Sequence, residues 1–142
     1  DGCYMIGAYL AEQLSDAGVI SMNMHKSIYV IEPEFDSNGQ MIFRDNIQPM
    51  VRGKNIVLLL ASATTGKTIA QSLECIRYYG GIIQGISAIF SATDTIEDYP
   101  VHTIFHTDDF VNYQSYSPHD CPFCQSGQKI DAIVNNFGYS QL

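Results

Sequence analysis

The sequence is poor in charge and lacks the features that would tie it to a nucleic acid or a membrane. Only 15% of its 142 residues are charged and 46% are hydrophobic, so most of the chain is expected to fold as one domain around one core. Seven Lys and Arg stand against 15 Asp and Glu, for a net charge of −8 and no basic run. Without a basic patch it lacks the electrostatic footprint of a nucleic-acid binder. No apolar stretch reaches the roughly 18 residues that span a bilayer, and no signal-like segment stands at its head. Cysteine is sparse: Cys3, Cys75, Cys121 and Cys124, of which only the last two are close. That is no secreted disulfide framework, and a reducing, cytoplasmic protein is expected. Internal repeats and low-complexity segments are absent as well.

The hydrophobic pattern alternates between helical and strand-like segments. Ile6, Leu10, Leu14 and Ala17 recur at helical spacing, and Gly18 sits where a helix-ending glycine belongs. Val19–Met24 reads as a short strand. Ile28–Phe35 and Gln40–Arg44 flank Asp36-Ser37-Asn38-Gly39, and Asn-Gly between two strand-like runs signals a hairpin over 27–44. Asp45–Asn55, with Pro49 and Gly53, reads as an irregular connection. Ile56–Ala61 is continuously apolar, as in a strand buried on both faces of a parallel sheet. Thr68–Tyr79 is expected to be helical, Ile82–Phe90 a second buried strand and Val101–Phe105 a shorter one. This strand–loop–helix–strand order predicts an α/β fold with an open, mostly parallel sheet and flanking helices. Ile130, Ile133, Val134 and Phe137 suggest a last helix, stopped by Gly138, within a C-terminal extension over 113–142.

The stretch Leu59-Leu60-Ala61-Ser62-Ala63-Thr64-Thr65-Gly66-Lys67-Thr68 carries the clearest chemical signal. A tight turn between a buried strand and a helix gathers backbone N–H groups at a helix N-terminus, where phosphate is favoured. Thr64, Thr65 and Thr68 add hydroxyl donors. Ala61-x-x-x-x-Gly66-Lys67-Thr68 fits a relaxed nucleotide-binding P-loop, but Ala61 lacks the freedom of the usual glycine. The acidic residues that would hold Mg²⁺, Asp94 and Asp108-Asp109, also come late, past their strands. Two plainer readings stand beside these: the turn as a simple Ser/Thr/Gly helix cap, and Lys67 as a solvated first-turn lysine.

Taken together, the helix after Asp1, the hairpin, the strand into Ala63-Thr64-Thr65-Gly66 and the helix that follows resemble a type I phosphoribosyltransferase over residues 1 to about 110. Within that family the chain most resembles the orotate phosphoribosyltransferase branch, some members of which end in a Cys-Pro-x-Cys tail similar to Cys121-Pro122-Phe123-Cys124. The resemblance implies 5-phosphoribosyl 1-diphosphate (PRPP), Mg²⁺ and a nucleobase as ligands. It implies displacement of diphosphate at the anomeric carbon, and a homodimer. By the same resemblance Ser62, Ala63, Thr64, Thr65, Gly66, Lys67 and Thr68 would bind the 5′-phosphate. The region of Asp1, Gly2 and Cys3 would meet the diphosphate, the hairpin Ser27–Arg44 would be a hood, and Lys26 would stand nearest a basic catalytic position. It also implies a first core strand before Asp1, so the chain is expected to be part of a longer polypeptide.

The departures from the family pattern are chemical. Two adjacent acidic residues of the family, which hold the ribose hydroxyls and offset positive charge on the sugar, fall here at Leu60 and Ala61. Losing preorganised charge at a reacting centre costs roughly 10²–10⁴ in rate. Ser27–Gly53 contains no Lys, only Arg44 and Arg52, and Lys26 and Arg44 also read as ordinary surface charges. The arginine expected for a carboxylated base falls near Ser91. Two functions follow: an active phosphoribosyltransferase with an unusual ribose site, or a non-catalytic protein that binds a phosphoribosyl ligand as a sensor or partner subunit. Cys121 and Cys124 remain open between structural thiols, half of a zinc site with His119, His102 or His106, and a redox pair.

Overall fold

A computed structural model describes residues 3–16, 27–37, 40–64, 66–117, 119–135 and 138–142, with the backbone alone for Lys67, Thr68 and Asn135. Its centre is a four-stranded sheet in the order β3-β4-β6-β5, formed by β3 (Asn55–Ala63), β4 (Ile82–Ser91), β5 (Thr95–Ile96) and β6 (Tyr99–His106). β3, β4 and β6 run parallel, and β5 returns antiparallel on β6. The expected mixed α/β architecture with a mostly parallel sheet is what the chain forms. Helix α2 (Lys67–Tyr78) is the crossover between β3 and β4, as parallel neighbours require.

The core lies between α2 and the sheet. Ile69, Leu73 and Ile76 of α2 are buried with Ile83, Ile86 and Ala88 of β4 and Val101 of β6, and Ile56, Leu58 and Leu60 pack at the margin. Helical spacing on α2 and alternation along β3 thus meet at one face. Leu73 and Ile86 are wholly buried. β4 is the central strand, as its apolar run predicts. β3 differs from expectation. Among the described residues it forms an edge of the sheet, and only Ala63 of its nine residues is buried. The run from Ile56 to Ala61 matches a strand with a helix on each face, but one cover is slight. α1 (Tyr4–Asp16) approaches Leu59 and Val30 at Gly7, and α1 itself has no fully buried residue. Its half-buried side is Cys3, Gly7, Leu10, Ala11 and Leu14, so Ile6, expected on the inner face, lies exposed instead. Gly7 allows this approach, since a Cβ there would lie 3.0 Å from Val30 Cγ1.

The hairpin is present but brief: β1 (Glu34–Phe35) pairs antiparallel with β2 (Met41–Ile42). Arg44 clasps Glu34 through contacts of 2.6 to 3.1 Å, holding that carboxyl below its usual range. The hairpin sits on α2, because Met41 and Phe43 are buried, the Cys75 thiol donates to the Met41 carbonyl at 3.0 Å, and Phe43 meets Tyr79 edge-on at 5.3 Å. Of the tyrosine pair, Tyr79 packs and Tyr78 is exposed. The strand expected at Val19–Met24 and the Asn38-Gly39 turn lie outside the described residues.

The expected C-terminal helix is a correction. Ala132–Asn135 (β7) and Gly138–Gln141 (β8) form an antiparallel hairpin, and the helix of this region is the short α3 (Pro122–Gln125). Four apolar residues cannot fix a helical period, and Ile130, Ile133 and Val134 are β-branched residues that favour strands. Gly138, at φ 130°, opens the return strand in a conformation that suits glycine. Among the described residues no helix is long and apolar enough to cross a membrane.

Gly81 lets β3, α2 and β4 meet: a Cβ there would lie 2.5 Å from Ile56 Cδ1 and 2.7 Å from Ile76 Cγ2, whereas one on Gly85 meets nothing within 4 Å. Gly81→Ala is expected to destabilise the fold by about 1–3 kcal/mol through overpacking. Gly85→Ala is expected to be neutral or to stabilise by up to about 1 kcal/mol, as a glycine replaced in mid-strand. Urea denaturation midpoints check both.

Candidate functional site

In an open parallel sheet the strand ends at the carboxyl edge leave a crevice where ligands bind. That edge is built here by Ala63, Ser91 and His106, which lie side by side at the ends of β3, β4 and β6. The Ala92 N–H donates to the Ala63 carbonyl at 2.8 Å, tying the first two ends together. Ser91, nearly inaccessible, accepts the Thr93 N–H at 3.2 Å and donates to the Thr93 carbonyl at 2.6 Å, so its side chain is spent on the β4–β5 connection. It therefore has no free hydroxyl for the carboxylate of a base.

The turn between β3 and α2 is short. Ser62 and Ala63 complete β3 in register with Phe90 and Ser91, and α2 begins at Lys67. Three residues, 64 to 66, make the connection. Gly66 is the helix N-cap at φ 72° and ψ −11°, a left-handed conformation natural to glycine, with no side-chain cap bond. Its carbonyl accepts the Ala70 N–H at 2.9 Å, closing the first turn of α2. The N–H groups of Lys67, Thr68 and Ile69 precede that bond and have no acceptor within the helix. They face out of the helix start together with its partial positive charge, worth about 0.3–1 kcal/mol to an anion in an exposed site. Thr64 is exposed beside them, while Ala63 is buried and presents no side chain to a ligand. Thr65 and Lys26 lie outside the described residues, and Lys67 and Thr68 are placed by backbone alone.

The geometry separates the two phosphate readings. A P-loop would need residues 61 to 68 to wrap a polyphosphate with their amides. Ala61, Ser62 and Ala63 instead belong to β3, with Ser62 and Ala63 paired to β4. Leu60 is partly buried against the core and Ala61 is exposed, so neither brings an oxygen to the site. Arg44 is engaged with Glu34. Arg52 lines a shallow depression with Asp45, Gln48 and Pro49, and its stem lies beside Gly80 at the opposite end of the sheet.

Two features of this edge go beyond the sequence reading, in which His106 figured as a candidate zinc ligand and Asp94 and Asp109 as late acidic residues, and the aromatic cluster not at all. The His106 backbone N–H donates to the Asp109 carboxylate at 2.7 Å, and the His106 Nδ1 lies 3.7 Å from Asp94. Phe90, Phe105, Phe110 and Tyr113 form an edge-to-face aromatic cluster, with Phe90 4.8 Å from Tyr113 and 5.4 Å from Phe110. The adjacency of Phe90 and Phe105 depends on the β4–β6 register, which no local pattern encodes. Among the described residues no group of three His, Cys, Asp or Glu side chains could hold a metal ion. His102 and His106 therefore do not join Cys121 and Cys124 in a ligand set there.

No family model matches the chain. It is 31% identical over 93 residues to an orotate phosphoribosyltransferase of Pelotomaculum thermopropionicum, covering 63% of this chain and 46% of the relative. It is 24% identical over 100 residues to an orotate phosphoribosyltransferase of Chlorobium phaeobacteroides, covering 67% and 48%. The chain thus spans about half the length of the curated relatives it matches. A phosphoribosyltransferase structure from Corynebacterium diphtheriae aligns with a TM-score of 0.45 at 22% identity, over 75% of this chain and 79% of that one.

Gly66→Ala forces an alanine into the left-handed region and places a Cβ 3.4 Å from Ile96 Cγ1. It is expected to cost about 1–2 kcal/mol, read as a lowered thermal midpoint.

Proposed function

We propose that this chain, which belongs to the orotate phosphoribosyltransferase-like branch of the type I phosphoribosyltransferases, grips the 5′-phosphate of PRPP at residues 62–68. In this reading it takes part in phosphoribosyl transfer to a nucleobase. The observation that carries the reading is the three-residue turn at the carboxyl edge, with Gly66 left-handed and the start of α2 uncapped.

The grip acts through orientation. A phosphate held by the first amides of α2 and the Thr64 hydroxyl fixes one end of the sugar, which lowers the entropic part of the barrier to displacement at the anomeric carbon. The electrostatic part needs negative charge near that carbon. Leu60 and Ala61 do not supply it, so this chain contributes binding more than charge stabilisation. The same two residues offer Mg²⁺ no oxygen. The donor set beside the turn does not fit the ion. Lys26 keeps the role of a basic contact to the diphosphate within this proposal. A reducing, cytoplasmic setting and a homodimer also belong to it, and the exposed Tyr4, Met5, Ile6 and Tyr9 of α1 are compatible with burial against a second copy.

Calorimetric titration is expected to show saturable binding of PRPP, displaced by ribose 5-phosphate and not by inorganic triphosphate. Thr64→Ala is expected to weaken binding roughly tenfold, the loss of one hydrogen bond to a charged group. Diphosphate release is then assayed with orotate, uracil and purines. Base-dependent release supports transfer, and saturable binding without release identifies a phosphoribosyl-ligand-binding protein instead. Absence of binding overturns the proposal.

A further inference from the structure

Cys121 and Cys124 lie outside the phosphate site and have a geometry of their own. Pro122 opens α3, and the Gln125 N–H donates to the Cys121 carbonyl at 3.1 Å, closing one helical turn. Residues three apart on such a turn are neighbours on one face. The turn is closed off behind: the Gly127 N–H donates to the Cys124 carbonyl at 3.1 Å, the Gln128 N–H to the Phe123 carbonyl at 2.9 Å, and Gly127 is left-handed at φ 73°. This is a helix-ending double bond of the Schellman type. Phe123 is held edge-on to Tyr116 at 5.8 Å. The two thiols are free, Cys121 half-buried and Cys124 exposed, and one helical turn places them as neighbours on the same face.

We infer that Cys121 and Cys124 are a redox-active dithiol that opens and closes as an intramolecular disulfide by exchange with small-molecule disulfides. The one-turn spacing supplies a neighbouring resolving thiol, the exposure supplies access, and the bounded turn keeps the pair together in both states. Structural thiols would be enclosed, and among the described residues no third ligand joins them to make a metal site. Bonds from the backbone N–H and thiol of Cys124, and from the Phe123 N–H, hold Cys121 below the usual thiol range, while the same pairing pushes Cys124 up. Cys121 stands at the N-cap of α3, beside the free N–H groups of the turn's start, a position that favours a thiolate, so Cys121 is the attacking sulfur and Cys124 the resolving one. Cys75 is a contrast within the same chain: buried, bonded to the Met41 carbonyl and pushed up by burial, it takes no part.

The exchange balances. The Cys121 thiolate, having given its proton to solvent, attacks one sulfur of a disulfide R–S–S–R, forming Cys121–S–S–R and releasing RS⁻, which is protonated. Cys124 then loses its proton and attacks the Cys121 sulfur, releasing the second RS⁻. Two protein thiols have given two electrons to the small disulfide, which leaves as two thiols.

The test equilibrates the full chain with mixtures of reduced and oxidised glutathione, alkylates free thiols under denaturing conditions and maps them by peptide mass. The peptide bearing both cysteines is expected to pass from doubly alkylated to unalkylated with a loss of two hydrogens, while Cys75 stays alkylated. Cys124→Ser is expected to accumulate a glutathione adduct at Cys121 at least about tenfold above that of Cys121→Ser at position 124. Stable glutathione adducts on both wild-type thiols, equal adducts in the two variants, or stoichiometric zinc that protects the pair from alkylation would each overturn the inference. Both positions are at least partly exposed, and a circular dichroism spectrum matching wild type confirms that the variants fold.

Discussion

The parallel pairing of β3 with β4 is the constraint from which the candidate site follows. Eight register pairs run from Asn55–Ile82 to Ala63–Ser91, with one irregularity between Ile56 and Val57. The pairing forces a crossover, and α2 is that crossover. Because Ser62 and Ala63 stay in the ladder, three residues remain to turn the chain, and Gly66 can make the turn since a left-handed backbone costs glycine little. Where α2 begins, and where its first amides point, is thus settled by hydrogen bonds of the sheet.

The electrostatics of the molecule bear on how such a site must work. A net charge of −8 repels anions at long range. A phosphate would therefore be held by short-range contacts, the first-turn amides and hydroxyls, and not by a positive field. The basic residues near the hairpin do not change this, because Arg44 is neutralised by Glu34 and Arg52 sits at the far end of the sheet. Arg77 is likewise occupied, paired with Glu97 and set over the Tyr99 ring at 5.6 Å. Binding that rests on oriented amides favours a compact doubly charged group over a dispersed one.

Much of the fold was legible in the sequence wherever an apolar run and a turn signal agreed. The helix expected at Thr68–Tyr79 and the strand expected at Ile82–Phe90 each differ by one residue at the ends from α2 and β4. Gly80 and Gly81 mark the boundary between them. What local pattern could not show was tertiary. Of the stripe on α1, Leu10 and Leu14 turn inward as their spacing predicts, whereas Ile6 is exposed and Gly7 lies toward Val30 and Leu59 in its place. The C-terminal hairpin was hidden because Ile133 and Val134 suit two periods, and their strand partners, Ser140 and Tyr139, lie beyond the turn. At the site the turn itself was visible, but the pairing of Ser62 and Ala63 with β4 and the burial of Ser91 depend on register.

The bond from Cys75 to the Met41 carbonyl joins the hairpin to α2 at a point closed to solvent. A thiol in that position becomes reachable by an alkylating reagent only when β2 lifts away from the helix. Its modification rate is therefore a built-in clock for the opening of the hairpin, and it counts that motion from the helix side with no label attached to the hairpin.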